Sequence, residues 1–131
     1  MKEDNFKKLS KEWFKKADDD MLFAKAGFKE SGIAGNACFL CQQVAEKYLK
    51  GYLVSQGIEP KRTHNIPELL LECIKINKTF SEIEQECKFL NQFYNPVRYP
   101  SGLVLDFDKD TANKAFESAE FIVQFIKQII F

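Results

Sequence analysis

Several features that would point to a common class of function are missing from this 131-residue sequence. It has neither a glycine-rich phosphate loop nor a Gly-x-Ser-x-Gly element, so the usual nucleotide-triphosphatase and serine-hydrolase patterns are absent. No apolar run approaches the roughly 18 residues of a membrane span. Met1 to Lys8 is charged and lacks the apolar stretch of a signal peptide. We therefore expect no membrane association and a cytoplasmic location.

A surplus of charge is also missing, because 19 basic residues balance 19 acidic ones. Net charge therefore gives no argument for nucleic acid as a partner. Any electrostatic field that attracts a ligand must come from local clusters of charged residues. Only two of the basic residues are arginines, Arg62 and Arg98, and His64 is the only histidine. All three fall in segments that we interpret as connections between helices.

Metal chemistry has little support in the sequence. A ferritin-like di-metal bundle needs two Glu-x-x-His motifs, which one histidine cannot supply. Cys38 and Cys41 form a Cys-x-x-Cys pair in the middle of an apolar helical stripe, whereas Cys73 and Cys87 lie far apart in the chain. Zinc sites of this kind usually need a second close pair. We expect four reduced core thiols, no metal and no cofactor.

Helical periodicity is what the sequence does have. The 3–4 spacing of apolar residues predicts an all-α fold, an antiparallel up-and-down four-helix bundle with a short additional helix, in one domain over residues 1–131. The 13 phenylalanines help to fill its core. A first helix runs from about Ser10 to the Ser31-Gly32 stop, and a second runs from about Ile33 to Gln56.

Three later helices are predicted from their start and stop signals. Asn65 and Glu68 form a capping-box pattern for the third helix, and Ser81 and Glu84 form one for the fourth. Pro96 ends the fourth helix. Asn95 to Phe107 is a long connection with two prolines, after which Asp108 caps the last helix.

Polar residues interrupt the apolar faces of the first two helices. Gln42 falls inside the apolar arc of the second helix, and Asp20 borders that of the first. A buried polar group needs partners, so one interpretation is a structural hydrogen-bond network between helices. The other adds a ligand at the edge of this network. The lysines, including Lys47 and Lys50, are interpreted as mostly solvated helix faces.

The remaining candidate binding residues lie in two connections between helices. Pro96 and Pro100 stiffen the loop that holds Arg98 and Tyr99, and an arginine fork beside a tyrosine ring suits a phosphate with a stacked base. The alternative is that Arg98 pairs with a carboxylate such as Asp20 or Glu46. The segment from Lys61 to His64 is either a solvated turn or a second edge of the same cleft.

These residues together resemble a known family. The relevant pieces are Trp13 with Ala17 and Asp20, the run from Cys38 to Leu53 that contains Gln-Gln-x-Ala-Glu-Lys, the Arg62-Thr-His-Asn65 segment, and Arg98-Tyr-Pro100. Their order and spacing resemble the HEPN domain (higher eukaryotes and prokaryotes, nucleotide-binding) from about Trp13 to the C-terminus.

The HEPN resemblance implies a homodimer that acts with a minimal nucleotidyltransferase, often as a toxin–antitoxin or nucleotide-transfer pair. It also implies a polar cleft. The nucleotide- or phosphate-binding residues would be Gln43, Lys47, His64, Arg98 and Tyr99, and the supporting polar network would be Asp20, Gln42 and Glu46.

One departure from the family pattern bears on catalysis. Many HEPN proteins are metal-independent ribonucleases with an Arg-x4–6-His motif, but neither Arg62 nor Arg98 is followed by a histidine at that spacing. We therefore assign no catalytic residue and expect a nucleotide- or RNA-phosphate-binding accessory domain. Two alternatives stay open: a ribonuclease that uses Arg98 with a displaced His64, and a purely structural dimerisation or antitoxin-type partner.

Overall fold

A computed structural model describes residues 2–94 and 107–130 of the chain. It confirms the all-α fold, since this part of the chain contains helices and turns but no strand. The helices, in chain order, are α1 (Lys2–Ser31), α2 (Ala34–Ser55), α3 (Ile66–Ile76), a 3-10 helix (Lys78–Ile83), α4 (Glu84–Asn91) and α5 (Lys109–Ile130).

The first two helices form a tight hairpin. Gly32 turns the chain with φ 67°, a left-handed conformation that glycine adopts without the cost of a Cβ, and its N–H donates to the carbonyl of Phe28 at 2.8 Å. Helix α1 begins at Lys2, eight residues before the predicted start at Ser10. Glu3 and Asp4 in its first turn interact favourably with the helix dipole, which an apolar pattern does not detect.

Helix α2 is the centre of the bundle and packs against α1, α3, α4 and α5. Its core face includes Tyr48, whose ring stacks on Phe14 of α1 at a centroid distance of 4.9 Å. The Tyr48 hydroxyl donates to Asp18 at 2.6 Å. Burial and then this hydrogen bond raise the pKa of Tyr48. A helix surrounded in this way carries its polar residues into the interior of the protein.

Two of the predicted caps are present and one is not. The Asn65 side chain accepts from the N–H of Glu68 at 3.1 Å, and Asp108 accepts from the N–H of Thr111 at 2.7 Å. The predicted Ser81 cap is wrong, because Ser81 lies inside the 3-10 helix, which is capped instead by Asn77. Helix α4 starts at Glu84 with no side-chain cap. Pro96, its predicted end, lies outside the described residues.

The four cysteines are buried thiols, as predicted for the core. Burial raises the pKa of Cys87 to about 12, so this thiol is a poor nucleophile. Within the described ranges, no group of three or more metal-ligating side chains converges. In the same ranges, no helix combines the length and the apolar character that crossing a bilayer requires.

Candidate functional site

A ladder of three polar residues runs along α2 inside the core. Gln42, Glu46 and Lys50 are spaced four residues apart, so they stack on one face of the helix on successive turns. They are only 0%, 3% and 7% exposed. Burying charged and amide groups costs free energy unless each finds a partner, so the partners of this ladder determine whether it is structural or functional.

Glu46 is the hub of the ladder. Its Oε2 accepts from Lys50 Nζ at 2.9 Å, and its Oε1 accepts from Gln42 Nε2 at 3.3 Å. The third partner is His64, whose Nδ1 lies 3.1 Å from Oε1 and 3.2 Å from Oε2. The carboxylate is therefore paired with a cation and hydrogen-bonded on both oxygens, which compensates for its removal from water.

His64 lies in the connection between α2 and α3 and is fixed at both ends. Gln42 Nε2 donates to its backbone carbonyl at 3.1 Å, and Glu46 accepts from its ring. Because a carboxylate only accepts, Nδ1 must carry the proton. Nε2 is then the nitrogen on the far edge of the ring, and the side chain is 51% exposed. The contact with Glu46 therefore fixes the orientation of a half-exposed imidazole and leaves Nε2 unengaged by the carboxylate.

Tyr94 forms the other side of this site. Its ring stacks on the His64 imidazole at a centroid distance of 4.2 Å and an interplanar angle of 14°. The end of α4 is held against the start of α3 by Asn91, whose side chain accepts from the N–H of Ile66 at 3.0 Å. An open cleft of about 420 Å³ results, lined by Arg62, Thr63, His64, Asn65, Glu68, Asn91 and Tyr94. We call it the His64 cleft.

A second cleft, of about 320 Å³, adjoins the first. It is lined by Trp13, Lys50, Glu59, Pro60, Lys61 and Arg62, and we call it the Trp13 cleft. Lys50 Nζ lies 5.6 Å from the centre of the Trp13 ring. Lys61 is paired with Glu72 at 3.2 Å. Arg62 lines both clefts and has no ion-pair partner within the described residues.

The other predicted residues of α2 lie beside this network. Lys47 forms an ion pair with Asp20 that ties α2 to α1. Gln43 Nε2 donates to Gln42 Oε1 at 2.7 Å. Both side chains are thus already engaged, and neither lines the two clefts.

Some of the predicted site residues lie together in the structure, and others lie apart. The structure brings Gln42, Glu46 and His64 together, and it places Asp20 with Lys47 at the α1–α2 contact. Arg98 and Tyr99 lie outside the described residues. The interpretation of Lys50 as part of a solvated face is wrong, because Lys50 is buried against Glu46.

Sequence reasoning gives too little weight to three residues at this site. Lys50 has a signal, because it continues the four-residue spacing of Gln42 and Glu46 along α2. The sequence pattern places Tyr94 in the apolar stripe of the fourth helix, and nothing local indicates that it stacks on His64. Asn91 has no signal, since its partner Ile66 is 25 residues away in the chain.

Comparison with known proteins identifies the family. The model of the HEPN domain matches residues 10–129, nearly the whole chain. The chain belongs to the HEPN family. A search of curated proteins found no match to this HEPN chain.

Two solved structures resemble the HEPN chain over most of its length. The crystal structure of ST0689, an archaeal HEPN homologue, has 33% identity and a TM-score of 0.76, covering 93% of this chain and 98% of that one. The crystal structure of TT1696 from Thermus thermophilus has 25% identity and a TM-score of 0.74, covering 91% of this chain and 96% of that one. The bundle is therefore shared with both proteins.

Proposed function

We propose that this HEPN chain is an accessory domain that binds the phosphate of a nucleotide or of RNA in the His64 cleft. One observation carries the proposal: buried Glu46 holds His64 at the mouth of a cleft that also contains Arg62, a cation with no ion-pair partner among the described residues. Within the described part of the chain, this guanidinium has no ion-pair partner, and beside an oriented imidazole it is suited to an anionic ligand.

The remaining groups of the cleft suit the rest of a nucleotide. The rings of Tyr94 and His64 are stacked and partly exposed, and they offer an aromatic surface for a base. Arg98 is four residues beyond Tyr94 in the chain, a span of at most roughly 14 Å when extended. In this proposal Arg98 and Tyr99 add a second phosphate contact and a second ring.

Gln43 and Lys47 have a different place in the proposal. Their side chains contact Gln42 and Asp20, so either would have to give up an existing bond to reach a ligand. We therefore assign them, with Asp20, Gln42 and Glu46, to the support of the site.

Calorimetric titration of AMP and ATP into the purified chain tests the binding function. We expect heat that saturates, and a loss of about 10-fold in affinity for Arg62→Ala, because a hydrogen bond to a charged group contributes about 1.5–3 kcal/mol. Lys88→Ala is the control, since Lys88 is exposed and lines neither cleft. No heat with either nucleotide or with a short oligoribonucleotide would rule out the proposal.

A ribonuclease activity is the second candidate, and the Glu46–His64 contact favours it. A carboxylate that holds Nδ1 of an imidazole leaves Nε2 available to take a proton from a ribose 2′-hydroxyl. Arg62 in the same cleft, or Arg98, would hold the phosphate. Incubating the chain with RNA in a chelator, beside His64→Ala, decides this. Equal cleavage by both proteins would exclude His64 as the base.

The partner in the proposal is a minimal nucleotidyltransferase, to which the HEPN chain would present its ligand in the cytoplasm. Its support is the family, in which such pairs form toxin–antitoxin or nucleotide-transfer systems. Co-expression with a nucleotidyltransferase encoded beside this chain, followed by affinity purification, tests it. We expect the two chains to elute together, and separate elution would contradict the pairing.

Homodimerisation is the last part of the proposal. Leu22 and Phe23 on α1 and Phe121 on α5 are at least half exposed, on two helices that Lys25 and Glu120 join by an ion pair. Exposed apolar side chains of this size favour burial between two copies. Light scattering should report a dimer that Phe23→Glu dissociates, whereas the control Leu71→Glu on α3 should not. If only dimerisation survived these tests, the structural alternative would stand.

A further inference from the structure

The Trp13 cleft has no role in the function proposed above. It is comparable in volume to the His64 cleft, about 320 Å³ against 420 Å³. Both volumes fall in the lower part of the range for small-molecule sites, roughly 300–1,000 Å³. One mononucleotide in the His64 cleft would therefore leave an equivalent space unfilled beside it.

The two clefts are parts of one construction. Arg62 lines both of them. The Glu46 carboxylate connects them, because its Oε2 accepts from Lys50, which lines the Trp13 cleft, and both of its oxygens lie within 3.2 Å of Nδ1 of His64. Both clefts therefore share Arg62 in their lining, and both depend on the Glu46 carboxylate for support.

The Trp13 cleft combines an aromatic ring with cationic side chains, the residue types that suit a base and its phosphate. Trp13 is partly exposed and offers a large ring for stacking, with the Lys50 ammonium 5.6 Å from its centre. Proteins that bind single-stranded nucleic acid combine aromatic rings for successive bases with cations along the backbone. Tyr94 with His64 in one cleft, Trp13 in the other and Arg62 between them follow this arrangement.

We propose that the Trp13 cleft is a second nucleotide subsite, so that the ligand is a single-stranded oligonucleotide of at least two nucleotides. This inference rests on the binding function proposed for the His64 cleft. One base stacks on Tyr94 and His64, the next stacks on Trp13, and the phosphate between them accepts hydrogen bonds from the Arg62 fork.

In this arrangement, charge should contribute less than stacking to the free energy of binding. Glu68 lines the first cleft and Glu59 the second, and Lys50 and Lys61 are already paired with carboxylates. Arg62 is the one cation of the two clefts without such a partner among the described residues. With one or two phosphate contacts, the logarithm of the affinity should fall against the logarithm of the salt concentration with a slope of about −0.7 to −1.4.

Trp13 makes the inference measurable, because it is the only tryptophan in the chain. The full chain is titrated with AMP, with the dinucleotide ApA and with a six-residue oligoriboadenylate, and both tryptophan fluorescence and calorimetric affinity are followed. ApA and the hexamer should quench Trp13, and AMP should not. The hexamer should bind at least about 5-fold tighter than AMP, since stacking contributes about 1–3 kcal/mol per base.

Trp13→Ala is the matching variant, with its helical content checked by circular dichroism. It should lose the 5-fold advantage of the hexamer and keep the affinity for AMP. If it does not fold, the fluorescence and affinities of the unmodified chain still decide the question. Equal affinities for AMP and the hexamer with unchanged fluorescence would overturn the second subsite and leave the His64 cleft intact. No binding of any of the three ligands would overturn both proposals.

Discussion

Glu46 and His64 are 18 residues apart in the chain, and the buried carboxylate of one accepts a hydrogen bond from the half-exposed ring of the other at 3.1 Å. Through this contact, the bundle core determines the orientation of a surface imidazole. The same carboxylate is paired with Lys50 at 2.9 Å. Glu46 is thus a single residue on which the ladder of α2 and both clefts depend.

Removing the charge of Glu46 should destabilise the fold. In Glu46→Gln the Lys50 ammonium remains buried without its counter-ion, and breaking a buried pair in this way costs about 3 kcal/mol. Urea unfolding measures the change. The control is Glu84→Gln, which breaks the exposed Glu84–Lys88 pair and should change stability by less than about 0.5 kcal/mol. Equal effects of the two variants would show that the ladder is not a buried network.

The double variant Glu46→Gln with Lys50→Met separates the pair from its surroundings. Replacing both charges removes the unpaired ammonium, so the double variant should be more stable than Glu46→Gln alone. A double-mutant cycle measures the interaction free energy between Glu46 and Lys50. For residues in contact, this coupling is typically about 0.5–3 kcal/mol. Additive effects of the two single changes would contradict a direct Glu46–Lys50 interaction.

Two glycines in helices should respond to alanine in opposite directions. A Cβ at Gly51 would lie 2.5 Å from Cε1 of Phe14, whose ring is confined in the core against Tyr48, so Gly51→Ala should lose about 1–3 kcal/mol by overpacking. A Cβ at Gly27 meets nothing within 4 Å, so Gly27→Ala should gain about 0.5–1 kcal/mol. Thermal unfolding of both variants checks the pair, and a stabilising Gly51→Ala would refute the close packing of α1 on α2.

The cap of α5 should make stability depend on acid pH. Hydrogen bonds from the Thr111 hydroxyl, and then from its N–H, hold the pKa of Asp108 below its usual value of 3.8. A lowered pKa in the folded state stabilises the protein above pH 3.8, and this contribution disappears as pH falls through the lower folded value. Asp108→Ala should therefore be less stable at pH 7, and the difference should narrow below pH 4 in urea titrations. A constant difference would mean that the carboxylate charge has no part in the cap.

The fold can be predicted from the sequence because helical spacing and caps are local signals. The residues that follow Asn65 and Asp108 identify both as caps, and the glycine at position 32 identifies the first turn. The prediction fails where two local signals compete. Ser81 and Glu84 match a capping box, but Asn77 caps the preceding 3-10 helix and takes Ser81 into it.

The candidate site is predicted less completely, for a physical reason. The position of Gln42 within an apolar arc indicates a buried polar group, but partners such as His64 and Lys50 depend on tertiary packing. A lysine is rarely buried without a paired carboxylate, so the sequence alone favours a solvated Lys50. The stacking of Tyr94 on His64 depends on how α4 meets the α2–α3 connection.

The central claim is that the cleft of Arg62 and His64 binds a nucleotide phosphate, and the ring of His64 reports on it directly. As the only histidine in the chain, it gives imidazole NMR signals that need no assignment. We expect these signals to move and saturate as AMP is added, and Arg62→Ala to need about 10-fold more AMP for the same shift. His64 signals that stay unchanged up to millimolar AMP would contradict the account.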